Sequence, residues 1–236
     1  MQRFIGFRGC WKAAKTHAFW RVAKPLEIED LRARLMRRAA NYDKSGDGHY
    51  NLISALHKSV RGSDPDAALY WFSRMLEGGE DPRFLARRLT RMAVEDIGLA
   101  DPQAQAFCLQ SWQTYERLGS PEGELALSQA VIYLALAPKS NANYVAYKAA
   151  RRLAASSGSA PPPKHILNAP TSLMKDQGYG DGYAYDHDQE DAFSGQNYFP
   201  DGMKRPEFYA PVERGFERDL KKRVEYFAKL RRERQR

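Results

Sequence analysis

Cysteine is scarce in this chain of 236 residues: Cys10 and Cys108 are the only two. That is too few for a disulfide framework and is the usage of a reducing compartment. No apolar run reaches the roughly 18 residues that a membrane-spanning helix needs. Three Lys-Ser pairs occur, Lys44-Ser45, Lys58-Ser59 and Lys139-Ser140, and none follows a glycine-rich loop whose amides could cradle a phosphate. A hydrophobic strand ending in paired acids, which could hold magnesium beside a triphosphate, is missing as well. The five histidines, His17, His49, His57, His165 and His187, lack zinc-ligand spacing with the cysteines. No Ser/His/Asp or Cys/His pairing is arguable. These absences speak against an intact ATPase, a zinc site and nucleophilic catalysis, and leave no catalytic residue, cofactor site or metal site to name.

A positive excess is also missing from the middle. The net charge of +8 is carried by the ends, with +5 over residues 1–27 and +6 over 214–236, so that 28–213 is slightly acidic at −3. A basic isoelectric point suggests a nucleic-acid partner, and here only the two termini support it. Arg3, Arg8, Lys12, Lys15, Arg21 and Lys24 give 1–27 a superficial likeness to a transit peptide. It reads instead as an unstructured basic leader.

What is present is helical punctuation. Asp64-Pro65, Asp81-Pro82, Asp101-Pro102 and Ser120-Pro121 each place a short acceptor before a proline, at intervals of 17, 20 and 19 residues. Asp or Ser at the N-cap accepts from a free backbone N–H, and proline at the first helical position loses no hydrogen bond. Gly78-Gly79, Gly98 and Gly119 fall where left-handed C-caps belong. The intervals carry helical patterning: Ala68, Leu69, Phe72, Met75 and Leu76 over 65–77, then Phe84, Leu85, Leu89, Met92, Ala93 and Ile97 over 82–97. Over 121–137 the apolar surface of Leu125, Leu127, Ala130, Val131, Leu134 and Ala135 is broad enough for a central helix. Further helices are expected at about 28–41, around Leu52–Val60, and at about 141–155 with Tyr144, Val145, Tyr147 and Leu153. Strand alternation is absent, so the fold class is all-α: a bundle or collar of about seven helices, an irregular arm and a C-terminal helix. The expected divisions are a leader at 1–27, the bundle at 28–155, a linker and aromatic strap at 156–213, and a basic helix at 214–236.

Several local patterns invite function. Asp43-Lys44-Ser45-Gly46-Asp47-Gly48 resembles the start of a calcium loop, but the twelfth position is Ser54 rather than a bidentate Glu, so it reads as a turn between helices. His187 sits among Asp181, Asp186, Asp188 and Asp191 and reads as a solvated acidic loop. Tyr179, Tyr183, Tyr185, Phe193, Tyr198, Phe199, Phe208, Tyr209 and Phe216 could stack bases. Yet 176–203 has seven acids and no Lys or Arg, a composition that repels phosphate. The better expectation is a strap whose rings are buried in grooves between helices or at a subunit contact. The stripe Arg83, Arg87, Arg88, Arg91, with Lys58 and Arg61, is the candidate nucleic-acid-binding set; a solvated face relieved by Glu80 and Glu95 is the alternative for the arginines.

Longer blocks carry a resemblance. Asp43–Tyr50, Ile53–Trp71, Gly79-Glu80-Asp81-Pro82, Ala86–Leu89, Glu95–Pro102, Ala137–Asn141, Asn168–Thr171, Leu173–Lys175 and Gly178-Tyr179-Gly180 are similar to the C-terminal region of the RarA/MgsA family, from about residue 28 to the end. The resemblance implies an AAA+ ATPase relative of clamp-loader subunits, cytoplasmic and nucleoid-associated. It implies a helical part that forms a homotetramer and works on DNA at replication forks in recombination and repair, alongside single-strand-binding protein. ATP and magnesium serve full-length members, whereas the Walker motifs are missing here and residues 1–27 match nothing in the family. The expectation is therefore a truncated, non-enzymatic oligomerisation and interaction module, with a DNA-binding module that uses the basic termini and the arginine stripe as the alternative.

Overall fold

A computed structural model of the protein describes Ile28 and residues 47–235. The leader at 1–27, nearly all of the helix expected at 28–41, and the calcium-like loop up to Gly46 lie outside the described residues. Within them the chain is helical and no strand occurs. The α-helices are α1 (Asp47–Arg61), α2 (Pro65–Glu77), α3 (Pro82–Met92), α4 (Gln103–Leu118), α5 (Glu124–Leu136), α6 (Ala142–Ser156), α7 (Ser172–Asp176) and α8 (Glu217–Arg234).

The Asp-Pro starts behave as their chemistry dictates. Asp64 accepts from the Ala67 amide at 2.9 Å and Asp81 from the Arg83 amide at 2.9 Å, with Pro65 and Pro82 opening the helices. Asp101 accepts from the Gln103 amide at 3.0 Å. α2 ends in a Schellman motif: the Glu80 amide donates to the Met75 carbonyl and the Gly79 amide to that of Leu76. The Ser120-Pro121 start does not hold. That peptide bond is cis and α5 begins only at Glu124. The intervening turn lies so close to α4 that a Cβ on Gly123 would sit 2.7 Å from the Tyr115 Cα.

α5 is the hub, in contact with α1, α2, α3 and α4. Leu127, Ala130, Val131, Leu134 and Ala135 are buried there against Ile53, Leu56, Val60, Phe72, Met75, Leu85, Leu89 and Met92. Each fully buried Leu or Val of this set contributes about 1.5–3 kcal/mol. The Phe107 and Tyr133 rings stack at 4.6 Å where α4 meets α5.

Three expected apolar positions face outward. Leu125 is 69% exposed, and on α6 Val145 and Tyr147 are exposed while Ala142 and Ala146 are buried. α6 leans on the bundle through small residues, which leaves Val145 and Tyr147 with no neighbour to bury them. The helix expected over 82–97 changes character at Met92. Ala93–Ile97 is a π-helical turn and Gly98–Ala100 a 3-10 turn. Of the two places expected for the strap's rings, grooves within the single chain take only some of them. Phe193 packs on Phe227 of α8 at 5.2 Å, whereas Tyr183, Tyr185, Tyr198 and Phe216 are exposed rather than sunk between bundle helices. The acid-rich segment folds back on the basic helix that follows it, and Arg234 donates to the Glu190 carbonyl at 2.7 Å.

Candidate functional site

The π-helical turn adds a residue to one turn of helix, a device frequent at functional sites. Here Asp96 is turned inward toward α1. Its carboxylate, 6% exposed, meets His57 Nε2 at 2.5 Å and accepts from Arg61 Nε at 2.7 Å. Burial pushes the Asp96 carboxyl up, but the hydrogen bonds from His57 and Arg61 and their charge outweigh it and hold it below the ordinary range. The Asp96 carbonyl accepts from the Ser140 amide at 2.8 Å.

Ser140 continues the connection to the far end of the chain. Its hydroxyl donates to Glu217 Oε2 at 2.7 Å. Glu217 is fully buried at the first turn of α8 and also accepts from the Val212 amide at 2.9 Å and the Tyr209 hydroxyl at 3.1 Å. Three donors and the positive end of the helix dipole compensate this buried carboxylate. Burial and the neighbouring Glu217 charge push the Tyr209 phenol up. Next to it the Phe216 amide donates to the Ala100 carbonyl at 2.8 Å, and a Cβ on Gly215 would lie 2.0 Å from that oxygen. Only glycine fits. Three segments distant in sequence, 93–100, 137–141 and 209–217, are thus knotted at one place. Lys139, half of a Lys-Ser pair, donates to the Ala135 and Ala137 carbonyls at 2.8 and 2.6 Å and so caps α5 instead of a phosphate. Burial lowers its pKa.

The six cations singled out for nucleic acid divide into two groups. Arg83 is held by Glu116 of α4 at 2.8 Å and Arg91 by Glu95 at 2.6 Å. Arg87 stands over the Phe84 ring at 5.9 Å. Lys58, Arg61 and Arg88 line an open hollow of about 450 Å³ between α1 and α3, with His57 and Tyr50 on its wall. Arg88 Nε is buried there with no hydrogen-bond partner among the described residues. Arg88, with its unmet donor, and Lys58 beside it are chemically suited to an oxyanion, while Arg61 already holds Asp96. Glu80, one of the two acids offered as relief in the alternative reading of the stripe, pairs with His49 at 2.9 Å. Among the described residues no cluster of three or more His, Cys, Asp or Glu could hold a metal ion, and no helix is long and apolar enough to cross a membrane.

Sequence reading singled out neither the role of Asp96 nor that of Glu217. Asp96 carried a signal, because Met92, Ala93 and Ile97 make its neighbourhood the core face of the helix, and a carboxylate there demands partners. Glu217 carried none within its basic segment.

The family model described as the MgsA AAA+ ATPase C terminal matches residues 62–228. A second, the AAA C-terminal domain, matches 11–61 and so begins inside the stretch 1–27 that was expected to match nothing. The replication-associated recombination protein A of Coxiella burnetii is 54% identical over 190 residues, which cover 80% of this chain and 43% of that protein. That of Escherichia coli is 46% identical over 209 residues, 88% of this chain and 46% of that protein. The ATPase WRNIP1 of Dictyostelium discoideum is 46% identical over 185 residues, 78% of this chain and 21% of that protein. The chain spans somewhat less than half the length of the two bacterial relatives. With a match that runs from residue 62 through the π-helical turn and the Ser140–Glu217 connection to residue 228, the chain belongs to the family of MgsA AAA+ ATPase C-terminal regions.

Proposed function

We propose that the chain is the non-catalytic helical module of an ATPase that acts in replication-associated recombination. In this reading it assembles as a homotetramer and meets DNA at replication forks in the company of single-strand-binding protein, in the cytoplasm at the nucleoid. ATP and magnesium belong to the portion of the relatives that this chain does not span. The observation that carries the reading is the alignment itself: long identity to proteins named for replication-associated recombination, confined to less than half their length. The missing phosphate loop supports the non-catalytic part. Light scattering behind size-exclusion chromatography is expected to give four times the chain mass, and a monomer at high micromolar concentration rejects the assembly role. Measurable ATP turnover by the purified chain rejects the non-catalytic one.

A second reading, a DNA-binding module, is favoured by one feature, the hollow that gathers Lys58, Arg61 and Arg88 around an unmet donor. It leads us to expect that Arg88→Glu weakens duplex DNA binding and flattens its salt dependence by about one phosphate contact, ~0.9 in the log–log slope. An unchanged slope removes the hollow from the interface.

A further inference from the structure

Like α3, α6 has no acidic residue of its own; it carries Lys148, Arg151 and Arg152. All three cations are exposed, and none has an ion-pair partner among the described residues. Two of them lie over tyrosine rings instead, Lys148 at 5.1 Å from the Tyr144 centroid and Arg151 at 5.9 Å from that of Tyr147. Between α6 and the end of α3 runs an open cleft of about 730 Å³, walled by Val94, Tyr144, Tyr147, Lys148 and Arg152, with the Arg91–Glu95 pair at its edge. Cations in the last turn of a helix stabilise its dipole, but Arg151 and Arg152 precede that turn of α6, so the dipole accounts for neither. Nor does it account for Tyr147, 61% exposed beside them.

We propose that this cleft seats single-stranded nucleic acid, an assignment that rests on the reading of the chain as a module working on DNA and gives that reading a surface. Lys148 and Arg152 lie four residues apart, about 6 Å along the helix axis, which is close to one phosphate step of an extended strand. Tyr147 offers a ring to an unstacked base, the combination of basic track and aromatic platform that sequence-tolerant strand binding uses. A duplex hides its base faces and gains nothing from that ring. An acidic peptide would satisfy the charges, but its carboxylates make no use of the exposed Tyr147 ring. The site differs from the stripe on α3, whose Arg83 and Arg91 are committed to Glu116 and Glu95.

The test is fluorescence anisotropy with the purified full chain and a labelled oligothymidylate of about 20 nucleotides, longer than the ~4–16 that one binding fold of this kind covers, at two salt concentrations. Lys148→Glu with Arg152→Glu is expected to weaken binding at least about tenfold and to flatten the salt slope by about 1.4, two single-strand contacts. Tyr147→Ala is expected to weaken oligothymidylate about tenfold and to leave duplex binding unchanged. Arg117→Glu with Lys175→Glu, the same charge change on exposed positions elsewhere, is expected to leave both unchanged; equal loss from this pair overturns the site in favour of diffuse charge. Saturable binding of polyglutamate that Tyr147→Ala abolishes, with no oligothymidylate binding, overturns it in favour of an acidic peptide. A wild-type chain that binds strand while the α6 variants are unaffected rejects the cleft alone. One that binds neither strand nor duplex rejects the cleft and the DNA reading together. Light scattering on each variant confirms that its assembly and fold are those of the wild type.

Discussion

At the residue scale, the most consequential side chain is Asp96. Its carboxylate is buried and joins α1 to the π-helical turn through His57 and Arg61. Asp96→Ala removes the acceptor for both, and Arg61, half exposed, turns to water while His57, 12% exposed, has less room to do so. The expected loss is about 1–3 kcal/mol of unfolding free energy, read by urea denaturation. The pH dependence has a definite sign. The folded-state pKa of Asp96 lies below the unfolded value of about 3.9, so its contribution is fully present above that value and is lost as pH falls through the depressed folded pKa. Wild type and Asp96→Asn should therefore differ in stability at neutral pH and converge in acid well below pH 4. A gap that stays constant down to that range denies the ionised role. The same scale explains why the arginine stripe is not one uniform surface: each cation's fate depends on whether an acid reaches it. Glu116 lies 33 positions from Arg83.

At the scale of elements, legibility followed locality. The starts of α2, α3 and α4 could be read because an Asp-Pro pair and the amide it caps lie within three residues. The start of α5 could not, because the Ser120-Pro121 turn is shaped by Tyr115 of the preceding helix rather than by its own residues. The core faces of α1, α2 and α3 were visible in their periodicity, whereas the π-helical turn was not, since one widened turn barely disturbs a 3.6-residue pattern. Least visible was the attachment of α8, made by Ser140 and Glu217 across 77 positions. That attachment makes a prediction of its own. Gly215→Ala forces a Cβ into the Ala100 carbonyl and is expected to cost about 1–3 kcal/mol. The loss should fall on α8 and the strap, as faster amide exchange over 209–234 with α1–α5 still protected. Uniform destabilisation of the whole chain contradicts a local tether.

At the scale of the molecule, one fact remains from the hub helix. α5 is apolar nearly all round, and a helix of that kind is buried on every side. Its inner residues fill the core, yet Leu125, Ile132 and Leu136 on its outer face are 69%, 38% and 65% exposed. Spaced seven and four residues apart, they form one uncharged stripe along the helix. In the proposed tetramer, a neighbouring copy covers them. Leu125→Glu with Leu136→Glu is then expected to shift the mass in solution from tetramer towards monomer while leaving the helical content unchanged. Both side chains are exposed in the single chain, so their replacement creates no cavity, and surface changes of this kind are usually worth less than about 0.5 kcal/mol to the fold. Light scattering across a concentration series measures the first effect and circular dichroism the second. A variant that remains tetrameric moves the contact to another face, and the strap, with Tyr183, Tyr185 and Tyr198 uncovered, is where the next pair of substitutions belongs.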